Sequence, residues 1–156
     1  MKKPNLAQIE EGDKMRAAFH EAGHFVVAAH FKAAFACRIF RVGNATLQQK
    51  AFVGVTVSLP CSKLREAALG WGGLVAEEFY ERLCRSEQIP SEPDECFFSD
   101  TLGNVEELSG TDRANIKDGG FRAFKIAWKT VLKKFAHIAD VAEKLSSKPG
   151  VYYAEN

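Results

Sequence analysis

Apolar and polar positions alternate with two periods along this chain. From Asp13 to about Ala36, Ala, Phe and Val recur among Lys, Arg and Glu without a proline, which predicts a long helix. His20, His24, Val27 and Phe31 share one face of it. Residues 1–12 are polar and predict a flexible lead-in. Arg38–Val42 and Phe52–Leu59 have strand composition, and the polar Gly43–Lys50 stretch between them predicts a hairpin or meander. Pro60 closes the second strand because it has no N–H to give a ladder. Helical composition returns from Ser62 to about Leu83, where Gly70, Gly72 and Gly73 predict close packing against another element. Residues 86–108 carry seven acidic side chains, Pro90 and Pro93 but no Lys or Arg, and read as a long acidic loop. Asp112 then suits the N-cap of a last helical region running to Ser146, bent or interrupted at Gly119-Gly120, and 147–156 form a C-terminal tail. Residues 13–146 are thus expected to make one domain.

Composition narrows the function classes. The 156 residues are 46% hydrophobic and 26% charged, which excludes wholesale disorder. Basic and acidic residues number 21 and 20, a net charge of +1, so no sequence-wide grip on nucleic acid or anionic lipid is expected. No apolar run approaches the ~18 residues of a membrane span, and the first residues lack the apolar segment of a secretory signal. Cys37, Cys61, Cys84 and Cys96 are widely spaced, without Cys-x-x-Cys. They read as reduced thiols, and a cytoplasmic location is expected.

Candidate chemistry concentrates in His20-Glu21-Ala22-Gly23-His24, an HExxH on the first helix. Histidines at i and i+4 can place two imidazole nitrogens on one Zn²⁺, with the intervening Glu21 beside them as a general base. Two core histidines satisfied by hydrogen bonds would give the same pattern. A zinc centre needs a third protein ligand. His30 lies at the distance of the HExxHxxGxxH spacing, but Val27 stands where that motif breaks its helix with Gly. An unbroken helix turns about 600° between His24 and His30 and carries His30 away from the site. Glu77 and Glu78 on the second helix, and Asp112, stay open as candidates.

Three segments carry a family resemblance. His20-Glu21-Ala22-Gly23-His24-Phe25-Val26-Val27-Ala28 resembles the HEAGHAVVA segment in the peptidase domain of FtsH-type AAA proteases. Gly72-Gly73-Leu74-Val75-Ala76-Glu77-Glu78-Phe79 resembles that family's GGRAAEEL segment. Ser109-Gly110-Thr111-Asp112 is similar, at a shortened spacing, to its S/T-G-x-x-N-D segment. The three occur in the family's order and span about residues 15–135.

The resemblance implies a mainly α fold, an array of helices with a small β-ribbon, and a zinc endopeptidase site. His20, His24 and Asp112 would be the ligands, with Asp118 as fallback for Asp112, and Glu21 the base for a zinc-activated water. Glu77 and Glu78 would support the ligands or pack beside them. Phe52–Leu59 would correspond to the family's substrate-binding edge strand, with Val53, Gly54, Val55 and Thr56 beside the site. The expected substrate is an unfolded or flexible polypeptide. The ATPase module and membrane helices that accompany this domain in the family have no counterpart here, so a separate ATPase or adaptor is a candidate partner. The acidic loop could be a lid, a docking surface or a solvated insertion; Cys96 and Asp100 within it could reach a metal. The alternative to a peptidase is a zinc-stabilised, catalytically silent interaction module, or a helical scaffold without metal.

Overall fold

A computed structural model describes residues 5–43, 50–148 and 150–155. The first helix, α1 (Leu6–His30), starts earlier than the expected Asp13. Asn5 caps it reciprocally: its side chain accepts from the Gln8 N–H, and Gln8 Oε1 accepts from the Asn5 N–H. The expected lead-in is therefore helical from Leu6 onward. The helix also stops short of Ala36. Lys32 adopts φ 57°, and the N–H groups of Lys32 and Ala33 close the last turn on the carbonyls of Ala29 and Ala28.

The chain then enters β1 (Ala34–Arg41), which runs antiparallel to β2 (Phe52–Ser58). Most of the polar stretch expected to join them lies outside the described residues. After α2 (Lys63–Cys84), the segment expected as a loop contains α3 (Glu95–Gly103) and a single 3-10 turn, Val105–Glu107. Asp94 is the reason: its carboxylate accepts from the Cys96 and Phe97 N–H groups and caps the helix. Phe97 and Phe98 then dock α3 on Trp71, Phe124 and Trp128. Next come α4 (Gly110–Ile116) and α5 (Gly120–Ser147), separated by a turn at residues 117–119. In the tail, β3 (Tyr152–Tyr153) pairs with β1, and Tyr152 sets its ring edge-on to Phe25.

The architecture is mainly helical with a small three-stranded antiparallel sheet of order β2-β1-β3. Helices α1, α2 and α5 pack on one another, and α1 also carries the sheet. Between them lies an aromatic core in which Trp71, Phe79, Phe124 and Trp128 are all but inaccessible. Each such side chain contributes about 1.5–3 kcal/mol of burial free energy.

Two consequences of this packing position the site. The α1–α2 crossing is closer than ordinary side chains allow, since a Cβ on Gly23 would strike the Gly72 carbonyl and Ala76. The ring of His24 lies against Gly73, where a Cβ would stand 2.5 Å from Nε2. The glycines of α2 thus admit the HExxH helix. Secondly, β2 lies along α1 as the open edge of the sheet.

Candidate metal centre

His20 and His24 project from α1 one turn apart. Their outer ring nitrogens have dedicated acceptors. His24 Nδ1 donates to the Leu69 carbonyl on α2 at 2.6 Å, and His20 Nδ1 donates to Glu77 Oε2 at 3.0 Å. Protons fixed on Nδ1 leave bare Nε2 lone pairs on both neutral rings. Those two Nε2 atoms face each other at 3.0 Å.

Asp112 completes the group. It is buried at the third position of α4, behind Ser109, whose hydroxyl accepts from the Asp112 N–H. Ser109, and not Asp112 as expected, is therefore the N-cap. One carboxylate oxygen of Asp112 lies 3.1 Å from His20 Nε2 and the other 3.1 Å from His24 Nε2. His20, His24 and Asp112 form a group that could hold a metal ion, with one ligand atom from each lying within 4.8 Å of the others.

The chemistry of this donor set fits a divalent cation. Two lone pairs and a carboxylate converge with no donor between the neutral rings, an arrangement that repels itself unless positive charge enters. Nitrogens bound tetrahedrally at zinc distances stand about 3.3 Å apart, a few tenths beyond the 3.0 Å found between the rings. Without a metal, a proton takes that place. Burial disfavours charge on His20, yet hydrogen bonds and attraction from Asp112 and Glu77 outweigh it and push its pKa up to about 10. Burial would raise the Asp112 carboxyl, but the two histidines hold it well below the ordinary carboxylate range. Glu77 is likewise held low by His20 against its own burial.

Glu21 sits beside this group, buried between α1 and β2. The Thr56 hydroxyl donates to Glu21 Oε2 at 2.5 Å. Gly54 is the other contact: a Cβ there would overlap the Glu21 side chain, so a strand with any other residue could not pass so near. Cys37 lies close behind; burial, and then the Glu21 charge, push its thiol up to about 12. Such a thiol is unreactive.

A cleft of about 640 Å³ opens over the centre. His20, Glu21 and His24 form its floor, the backbone of Val53–Thr56 one wall, and α3 with Asn115 the other. Of the remaining candidates, Glu78 pairs with Arg82 at 2.6 Å, and Arg82 in turn grips the α3 cap Asp94 at 2.6 Å. Glu78 therefore braces the cleft wall, whereas Glu77 touches a candidate ligand. Asp118 is exposed on the turn between α4 and α5, outside the cleft, and His30 is exposed at the end of α1. Asp100 borders the cleft and Cys96 is exposed on α3; neither belongs to the metal-ligating group.

Sequence reading missed Asp13. Its buried carboxylate accepts from the N–H groups of Ala51 and Phe52, at 2.5 and 2.8 Å, and pins the start of β2 to α1. The available signal was spacing: seven residues before His20 places Asp13 on the same helical face. Compared with family models and with curated proteins, the chain matches none. Among the described residues, no helix is long and apolar enough to cross a membrane.

Proposed function

We propose that this chain is a zinc-dependent endopeptidase, similar to the FtsH-type peptidase domain, acting on unfolded or flexible polypeptides. One observation carries the reading: Glu21 stands between a convergent His20–His24–Asp112 donor set and the open edge of a strand. Zinc bound by those three side chains would supply Lewis acidity, polarising a peptide carbonyl and making a water acidic enough to react near neutral pH.

The protein's own groups do the rest. Glu21 accepts the proton of the attacking water and returns it to the departing amine. The Thr56 hydroxyl orients the Glu21 carboxylate, and Gly54 leaves it room. Glu77 and the Leu69 carbonyl keep both histidines in the tautomer that presents Nε2. An extended polypeptide lying along β2 would pair with its backbone and hold the scissile bond over the floor of the cleft. Folded substrates would need an unfolding partner, for which a separate ATPase or adaptor is the natural candidate.

A silent, zinc-stabilised interaction module is the second reading. It draws on the burial of Glu21 and the exposed apolar outer face of the sheet. Cleavage of casein by zinc-loaded wild type and zinc-loaded Glu21→Gln separates the two. The peptidase reading predicts fragments with wild type alone. Intact casein in both samples, with zinc verified in each, overturns it.

A further inference from the structure

The β2 edge has a defined start and two unlike faces. Asp13 occupies the N–H of Phe52, the first β2 residue of open-edge parity, so an added strand finds its first donor beyond it. On the other side, the Val42 N–H donates to the Ala51 carbonyl at 2.7 Å, continuing the register in which Phe40, Arg38 and Ala36 face Val53, Val55 and Val57. Antiparallel alternation commits the backbone groups of these three valines to β1. It turns those of Gly54 and Thr56 to the open edge.

Side chains follow the same two-residue period. Gly54 and Thr56 face Glu21, while Val53, Val55 and Val57 stand on the outer face, 36%, 43% and 49% exposed. A segment added to this edge therefore meets two environments. Its residues opposite Gly54 and Thr56 turn toward Glu21 and the cleft. The intervening ones turn outward and lie along the valines, where β-branched and aromatic neighbours pair best.

We propose that the valine stripe makes this edge select extended polypeptide segments with apolar side chains at alternate positions. The inference rests on the peptidase reading for the identity of the occupant as substrate, and on the ladder alone for its periodicity. A second copy of the chain stacked on the same face is disfavoured by charge. Arg38, exposed opposite Val55, would approach its own symmetry mate.

The test uses the full zinc-loaded chain carrying Glu21→Gln, so that bound peptides survive. Two labelled ten-residue peptides of identical composition, with lysines at both ends, are compared by fluorescence anisotropy: one alternates Val and Ser, the other carries them in blocks. Alternation should bind about three- to tenfold more tightly, the sum of two or three cross-strand pairs. Val53→Thr/Val55→Thr/Val57→Thr keeps strand-forming, β-branched side chains and should erase that difference with zinc content unchanged. Equal binding of the two peptides, or no binding of either, overturns the proposal. So does a preference that survives the triple substitution, or one traced by sedimentation to a dimer of the chain. Casein cleavage by wild type is scored separately. Cleavage without a periodic preference sinks the stripe and spares the peptidase. A preference without cleavage does the reverse.

Discussion

His20 and its two carboxylate partners, Glu77 and Asp112, hold one another in chosen protonation states. Glu77 matters because it fixes a proton on His20 Nδ1 and so bares Nε2. Glu77→Ala should lower zinc affinity about 10–100-fold, measured by competition with a colorimetric chelator, while the fold persists. Glu21 has the opposite signature. Glu21→Gln should keep zinc and lose about 10²–10⁴-fold in turnover. The pH response follows from the same contacts. In the metal-free chain the His20 proton is held to about pH 10, against 6.5 when unfolded, so its contribution to stability is complete below pH 6.5 and disappears toward pH 10. Asp112 acts at the acid end: its depressed carboxyl stabilises above the unfolded value of 3.8 and loses that effect as pH falls through the lower folded value. Thermal unfolding of metal-free protein should therefore occur at lower temperature as pH rises from 6.5 to 10. The zinc-loaded chain should not weaken in this way, because its ligands bind deprotonated. Parallel pH trends with and without zinc would contradict the assignment.

At the scale of elements, α1 and β2 are matched rulers. Asp13 and Glu21 are eight residues apart, about 12 Å of helix, and their partners Phe52 and Thr56 span four residues, about 13 Å of strand. Asp13→Ala would strand two N–H groups and should cost about 2–3 kcal/mol in urea unfolding. It should also loosen the strand beside Glu21. Gly54→Val tests the same fit from the other side. It suits a strand, yet its side chain would displace Glu21, so zinc should remain while turnover falls about 10²-fold. Much of this was legible beforehand. The HExxH, the glycine-rich helix and the two principal strands follow from period and composition, and His20, Glu21, His24 and Asp112 do come together. What stayed hidden depends on partners distant in sequence. Phe97 and Phe98 gain from α3 only by meeting Trp71 and Phe124, so 86–108 read as loop. Lys32 and Ser86 take the left-handed positions after α1 and α2 that a reader expects glycine to mark. The paired Ala and Phe of β1 resemble helix until β2 lies beside them. Asp118 stayed a fallback for Asp112 in the sequence, because only the placing of α4 sets Asp112 inside the cleft and Asp118 outside it.

Across the whole molecule, three helices bury the aromatic core and leave a cleft where α1, α2 and α4 bring their side chains to one point. Histidines and aspartate arrive from different elements, His20 and Asp112 being separated by 92 positions. Two imidazole nitrogens and a carboxylate from such distant residues thus converge into a group that could hold a metal ion. Metal stoichiometry therefore tests the account most directly: native mass spectrometry of wild type, Asp112→Ala and Asp118→Ala after loading and desalting. About one zinc per chain is predicted for wild type and Asp118→Ala, with Asp112→Ala reduced to background. A wild type that carries no zinc, or an Asp112→Ala that carries as much as wild type, would contradict it.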